Sequence, residues 1–294
     1  MSGGNGLQIR AITFGKDRDA RRFLAAGAAV TLAAWVLGLL VSHIGAPGTG
    51  ELWVDLYLAQ HRSAGLSQIA MIINVLLGVS VAPIVLVTIS LLAAKIWHWL
   101  VGVLILVVTG TSWVAAAVGK TLVHRTRPPG AVLHALVSET GADSYPSGHT
   151  AFAAGLLASA VLISYIYGRS ALVTAILGLP AVIVVGVSRL YLGVHYVADV
   201  IGSGLVAAAS TLMLVGIYNA VSRHVAVRSL SGSSLRPVED PAVLSSLGAQ
   251  AANAGRHAGG ERDARYPEVA EIPYERPIQE PVDMMGGPDA GPRR

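Results

Sequence analysis

Long uninterrupted apolar segments constrain this chain more than any other feature of its sequence. Six of them hold roughly 17 to 26 mostly apolar residues each, and a helix of about 20 such residues crosses the hydrocarbon core of a bilayer. Helices are expected because an open strand leaves backbone groups unpaired in lipid. Kinks are expected at Pro83 and Pro180, inside the second and fifth segments. The predicted spans are approximately Phe23–Ile44, Ile69–Ala94, Trp97–Gly119, Thr150–Tyr167, Ala171–Val187 and Val200–Val221.

The apolar segments divide the chain into three predicted parts. Residues 1–22 form a polar N-terminal segment, residues 23–222 a membrane domain, and residues 223–294 a tail rich in Gly, Pro, Ala and mixed charge. The tail is predicted to be disordered, because it carries too little apolar surface to form a core. No cleavable signal peptide is predicted, since the first apolar segment is long enough to remain as an anchor. The expected fold class is all-α, a polytopic bundle of six transmembrane helices.

Composition excludes several classes of function. Of the 294 residues, 53% are hydrophobic, 13% are charged and none is cysteine. Disulfides, thiolate catalysis and zinc sites with sulfur ligands are therefore excluded. The net charge of +4 is modest and comes from Lys and Arg near apolar segments, so nucleic-acid binding has no support.

Three short motifs lie where apolar segments begin or end. The first is Lys120-x6-Arg127-Pro128, directly after the third predicted span. The third motif contributes a further cation, Arg189. Three cations that converge on one place are typical of a phosphate site. The residue before a proline is biased towards extended backbone, so Arg127 is expected on a stiff loop. Snorkelling at the end of a helix is an alternative interpretation of Lys120 alone.

The second motif, Tyr145-Pro146-Ser147-Gly148-His149, opens the fourth predicted span. The hydroxyl group of Ser147 or Thr150 is suited to cap that helix, and Gly148 allows the backbone to approach a ligand closely. Free N–H groups at the start of a helix bind anions. His149 is therefore predicted at the positive end of a helix, beside the phosphate.

The third motif, Ser188-Arg189-x5-His195-x3-Asp199, joins the fifth and sixth predicted spans. His195 and Asp199 are four residues apart and are neighbours on one face if that stretch is helical. A carboxylate beside an imidazole fixes its tautomer and stabilises the imidazolium form. A pair that only anchors the helix is the alternative. Metal binding is disfavoured, since three nearby cations repel a divalent ion.

Other polar residues near the motifs receive structural interpretations. His124 and Arg125 lie in the loop of the first motif but outside its spacing, and they are interpreted as rim residues of the site. Asn74, inside the second predicted span, is interpreted as a residue that hydrogen-bonds between helices.

Basic residues predict the orientation. They cluster before the first span, at Lys95 after the second, at Arg169 after the fourth and beyond the sixth. The positive-inside rule places all of these, and both termini, on the cytoplasmic side. The motif cations fall on the opposite side together with the segment 45–68, and so they are interpreted as ligand-binding residues. The chain is expected in the cell membrane, with its site on the extracytoplasmic face.

In order and spacing, the three motifs resemble those of the type 2 phosphatidic acid phosphatase family, the membrane branch of the superfamily that also contains vanadium haloperoxidases. The resemblance covers about residues 20–222. It implies that His195 is the nucleophile that accepts the phosphoryl group and that Asp199 orients it. His149 would protonate the leaving oxygen and then activate water. No metal or other cofactor is implied, and the implied phosphate ligands are Lys120, Arg127, Ser147, Gly148 and Arg189.

The function implied is that of a lipid phosphate phosphatase with a phosphohistidine intermediate. Candidate substrates are a polyprenyl diphosphate, phosphatidate and phosphatidylglycerol phosphate; a composition typical of high-GC bacteria favours the polyprenyl carrier of wall synthesis. A phosphotransferase of the same family is an alternative, as is a non-catalytic transporter of lipid head groups, against which the His195–Asp199 pair argues. Haloperoxidase chemistry conflicts with six spans. The expected partners are the lipid substrate and the bilayer, not nucleic acid, and the oligomeric state stays open.

Overall fold

The computed structural model describes residues 18–139, 141–233 and 245 of the chain. The chain divides into two units, residues 1–232 and residues 233–294, and the description of the second covers only residues 233 and 245. Nearly all of the described part of the first unit is helical. Within the described ranges the helices are α1 (Arg18–Thr49), α2 (Glu51–Gln60), α3 (Ala64–Leu76), α4 (Ala82–Ile96), α5 (Trp99–Val123), α6 (Gly130–Leu133), α7 (Gly148–Ile166), α8 (Ala171–Tyr191) and α9 (Val197–Ser233).

Five helices are long and apolar enough to cross a membrane. They confirm five of the six predicted spans, mostly with a few more residues at one or both ends. Their outward faces are apolar: Leu172 and Leu177 of α8 are 70% and 74% exposed, which suits contact with lipid rather than water. Pro180 lies inside α8 as expected. The spans are Ala20–Thr49, Trp99–Val123, Gly148–Ile166, Ala171–Tyr191 and Val197–Ser222. The protein is therefore a multi-pass membrane protein.

The prediction of one continuous second span is wrong. The apolar segment forms two shorter helices, α3 and α4, which are separated by residues 77–81. Pro83 lacks the N–H that would continue the helix from Val79, and it lies in the first turn of α4, where a missing donor has no cost. Pro83 therefore starts a helix, and the expected kink inside a span is absent at this position.

The last helix runs further than the predicted sixth span. α9 continues to Ser233 and includes the first part of the predicted tail, residues 223–233. Apart from residue 245, the rest of the tail lies outside the described residues, and its disorder stays a prediction.

Small residues allow the helices around α5 to pack closely. α5 contacts α4 and α7, and α7 contacts α8. A Cβ atom on Gly102 would lie 2.3 Å from the carbonyl oxygen of Ser90, and one on Gly155 would lie 2.9 Å from Cβ of Ser112. Such close approach is how helices associate in lipid, where burial of apolar surface contributes little. The tight packing fixes the relative positions of the ends of these helices.

Candidate active site

The three motifs meet at one end of the bundle, where α5 and α8 end and α7 and α9 begin. The backbone N–H of Ser147 donates to the carbonyl of Asp199 at 3.3 Å. Ser203 of α9 donates from its hydroxyl group to the carbonyl of Ser147 at 2.9 Å. Nη1 of Arg127 lies 3.4 Å from Nε2 of His195. Residues from all three motifs are therefore in direct contact.

Tyr145 holds the second motif in place. Its ring is fully buried, and its hydroxyl group donates to the carbonyl of Ala34 in α1. The ring passes between Gly38 and Gly202, where a Cβ atom would lie 2.5 Å and 2.3 Å from its atoms. The glycines are needed for this close approach, which fixes the loop before Ser147 between α1 and α9.

His195 and Asp199 are in contact, but the contact is not made within a helix. α9 begins at Val197, and a turn at Gly193, with φ of +79°, brings His195 to the start of the helix. Asp199 Oδ2 accepts from the backbone N–H of Tyr196 at 2.8 Å and lies 3.3 Å from Nδ1 of His195. The first of these bonds has the pattern of a capping box, so a helix-capping group also orients the histidine.

The imidazole of His195 is in the state that a nucleophile requires. Only 2% of its side chain is exposed, and burial lowers its pKa below the usual range, against the opposing effect of Asp199. The ring is therefore neutral at pH 7. With its Nδ1 proton donated to Asp199, Nε2 carries the lone pair and faces Arg127.

Arg127 contacts this nitrogen, and the charges of Lys120 and Arg189 are near enough to act on the pKa of His195. Arg127 donates from Nη1 to the carbonyl of Val194 at 2.9 Å, which fixes its guanidinium group beside His195. Arg189 is fully buried and donates to Oδ1 of Asn74 at 2.6 Å. Lys120 donates to the carbonyl of Asp143 at 2.9 Å. These hydrogen bonds fix the positions of the three cations.

Glu139 occupies the space between the two arginines. Its carboxylate accepts from Arg189 and lies 3.9 Å from Nη2 of Arg127. Although burial acts to raise it, the charges of Arg189 and Arg127 hold the pKa of Glu139 below its usual range. An adjoining cavity of about 440 Å³ is lined by Arg127, Glu139 and Val194, among others. Glu139 therefore places a negative charge between the two arginines, and it belongs to none of the three motifs.

The second motif caps α7 as the sequence suggested. The hydroxyl group of Ser147 accepts from the backbone N–H of Thr150 at 3.5 Å, and Gly148 is the first residue of the helix. His149 is 8% exposed, and its Nε2 lies 3.2 Å from the carbonyl oxygen of Asn74. Asn74 does bond between helices, as interpreted, but its partners are His149 and Arg189 of the motifs. It is a site residue that sequence patterns did not identify.

The interpretation of Arg125 as a rim residue is wrong. Arg125 is 2% exposed and donates to Oδ1 of Asp199 at 2.8 Å and to Oε2 of Glu51. It points away from the loop surface because two buried carboxylates attract its charge. His124 does remain at the surface, where its exposed side chain lies 3.4 Å from Asp143. Among the described residues, no three acidic or histidine side chains form a group able to hold a metal ion.

Comparison with known proteins agrees with the motifs. Residues 95–223 match the PAP2 superfamily. The chain is 38% identical over 113 residues to phosphatidylglycerophosphatase B of Bacillus subtilis (strain 168), a match that covers 37% of this chain and 52% of that relative's length. It is also similar to the crystal structure of the first transmembrane PAP2 type phosphatidylglycerolphosphate phosphatase from Bacillus subtilis, with a TM-score of 0.52 and 25% identity over 66% of this chain and 96% of that chain.

Proposed function

We propose that this protein, whose residues 95–223 match the PAP2 superfamily, is a metal-independent phosphatase that hydrolyses a phosphomonoester of a membrane lipid. The observation that carries the proposal is the buried His195, whose ring contacts Asp199 on one side and Arg127 on the other. Simple head-group binding has no need of a nucleophile in this position, which argues against a non-catalytic transporter. Phosphoryl transfer to an acceptor other than water would use the same residues.

The reaction has two steps. Nε2 of His195 attacks phosphorus, the bond to the lipid oxygen breaks, and His149 gives its proton to that oxygen. Asp199 stabilises the positive charge on the phosphorylated imidazole. His149 then takes a proton from water, and the resulting hydroxide attacks phosphorus. The bond between phosphorus and Nε2 breaks, inorganic phosphate leaves, and His195 is restored.

The phosphate oxygens carry the charge that develops in both steps, and preorganised donors stabilise it. The proposed donors are the side chains of Lys120, Arg127 and Arg189, the hydroxyl group of Ser147 and the backbone N–H of Gly148. Because these cations supply the charge that a metal ion would otherwise provide, hydrolysis is expected without one.

The proposed substrate is phosphatidylglycerol phosphate, placed ahead of the polyprenyl diphosphate that composition favoured. The relative from Bacillus subtilis and the similar crystal structure both carry names of that activity. The distribution of charge supports a monoester. Arg125, a nearby arginine outside the proposed phosphate site, is occupied by the carboxylates of Asp199 and Glu51. It is therefore not available for a second phosphate group.

The proposed location is the cell membrane, with the site on the extracytoplasmic face. The basic residues of the connecting turns support this orientation. Trp97, just beyond Lys95, and Arg169 line one cavity at the far end of the bundle from the motifs. The positive-inside rule assigns that end to the cytoplasm.

A panel of lipid phosphates tests the proposal. The purified protein in detergent is supplied with phosphatidylglycerol phosphate, phosphatidate and a polyprenyl diphosphate in excess EDTA, and released phosphate is measured. The fastest release is expected from phosphatidylglycerol phosphate. Faster release from the diphosphate would reject the assigned substrate. Activity that EDTA abolishes and Mg²⁺ restores would reject the metal-independent mechanism.

A further inference from the structure

A buried ionic chain lies behind the proposed catalytic pair and contains residues from outside the three motifs. Arg125, between Lys120 and Arg127 in the sequence, bridges Asp199 of α9 and Glu51 of α2. Its guanidinium carbon lies 4.3 Å from the centre of the Tyr196 ring, a cation–π geometry that fixes its plane. Glu51 lies outside the segment 95–223 that matches the family.

Glu51 holds the first turn of α9 as well as the arginine. Its Oε1 accepts from the backbone N–H of Ala198 at 2.6 Å, and its Oε2 accepts from the hydroxyl group of Thr49 at 2.7 Å. Ala198 directly precedes Asp199. One carboxylate from α2 is therefore bonded both to the backbone beside Asp199 and to the cation that binds Asp199.

The geometry connects this chain to the nucleophile. Arg125 binds Oδ1 of Asp199, whereas His195 and the Tyr196 backbone share Oδ2. A carboxylate is planar, so a fixed Oδ1 also fixes the direction in which Oδ2 meets the imidazole. Arg125 touches neither His195 nor the proposed phosphate ligands in any described contact, so its effect passes through Asp199.

The charges explain why Glu51 is needed. Arg125 alone would neutralise Asp199 and weaken its stabilisation of a positively charged imidazole. Glu51 restores one net negative charge to the group of three. Burial, followed by the charge of Glu51, raises the pKa of the neighbouring Asp55 to about 8, so Asp55 is mainly protonated at pH 7 and adds little charge. The net negative charge behind His195 thus depends on Glu51.

We infer that Glu51 and Arg125 are positioning residues of the proposed phosphatase, which orient Asp199 and keep it negative behind His195. The inference rests on the proposed function. It predicts an effect on the chemical step and none on substrate binding, because Glu51 and Arg125 contact none of the proposed phosphate ligands.

The test compares Glu51→Gln with wild type and with Asp55→Asn as a matched control one turn further along α2. Glu51→Gln keeps the size of the side chain and an acceptor for Ala198 but loses the charge. It is expected to lower kcat about 10- to 100-fold, by analogy with the loss known for residues that orient metal ligands, with KM within about twofold. Asp55→Asn is expected to leave both constants unchanged at pH 7.

Arg125→Lys supplies a second variant. Lys keeps the charge but lacks the fork that binds two carboxylates in fixed geometry, so kcat should again fall while KM stays. The double variant Glu51→Gln/Asp199→Asn should lose little more than Asp199→Asn alone, because both changes act through one group. A kcat of Glu51→Gln equal to that of Asp55→Asn, a rise in KM alone, or additive losses would each overturn the inference. Absence of phosphate release by wild type would instead overturn the proposed function.

Discussion

Glu139 is expected to compete with the substrate phosphate, and its replacement should strengthen anion binding. Its carboxylate accepts from Arg189 and lies 3.9 Å from Arg127, two of the cations proposed to hold the phosphate. A phosphate group that binds there must first displace the carboxylate. Glu139→Gln removes the charge and keeps nearly the same shape, so it weakens the competitor while leaving the arginines in place.

The expected size of the effect follows from the two contacts. A hydrogen bond between charged groups contributes about 1.5–3 kcal/mol, and the longer pair with Arg127 adds at most about 1 kcal/mol. The side chain of Glu139 is 22% exposed, and Gln retains a neutral hydrogen bond, so the net gain lies near the lower end. A gain of about 1.4 kcal/mol corresponds to a tenfold tighter dissociation constant.

Vanadate inhibition measures this directly, because vanadate occupies a phosphate site without a lipid tail. The inhibition constant of Glu139→Gln should be about tenfold lower than that of wild type. Because the arginines hold the pKa of Glu139 below its usual range, the carboxylate stays ionised and the ratio should be constant from about pH 5 to pH 8.

Asp143→Asn is the matched control. Asp143 lies in the same loop and carries the same charge, but its carboxylate contacts His124 at the surface rather than an arginine. Its inhibition constant should stay within about twofold of wild type. Equal constants for wild type and Glu139→Gln, or an equal decrease in both variants, would refute displacement of Glu139 by the phosphate.

Three further predictions concern stability, topology and the tail. Burial raises the pKa of Asp55 from 3.8 to about 8, so the folded state retains a proton that the unfolded state loses, and stability falls as pH rises from about 4 to 8. Asp55→Asn should therefore raise the thermal inactivation midpoint at pH 8 and change it little at pH 4. Equal shifts at the two pH values would contradict this. Single cysteines at Ser63 and Ala142 should react with an impermeant maleimide on intact cells, whereas one at Ser231 should not; the reverse pattern would place the site inside. Truncation after Arg228 should leave turnover nearly unchanged, since every proposed site residue precedes it, and a large loss would show that the tail supports the membrane domain.

The spans and motifs were predictable because their signals are local. A run of apolar residues needs no partner to indicate a helix in lipid, and five of the six predicted spans are present. The prediction of the second span failed at a local feature as well, since Pro83 and the residues before it start a new helix where continuity was predicted. Hydropathy alone does not distinguish one long helix from two short ones.

The contacts behind the site were not predictable, because they join distant parts of the chain. Arg125 is separated by 74 residues from each of Glu51 and Asp199, and Arg189 by 115 residues from Asn74. In the sequence, Arg125 looks like one more basic residue in a loop, and Asn74 like a polar residue inside a span. The packing of α2 and α3 against α8, together with the hydrogen bond from Ala198 of α9 to Glu51, gives these residues their partners.

Isolation of the phosphorylated enzyme tests the proposed mechanism most directly. Purified protein is mixed with a lipid phosphate labelled at the phosphoryl group, quenched in alkali, in which phosphohistidine survives, and mapped to the modified residue. Wild type should carry label on His195 at early times. His149→Ala should gain the label more slowly and keep it for longer, because His149 acts in both steps. His195→Ala should carry none and should release phosphate at least about a thousandfold more slowly, a loss of roughly 4 kcal/mol of transition-state stabilisation. Label on another residue, or release by His195→Ala within about tenfold of wild type, would contradict nucleophilic catalysis by His195.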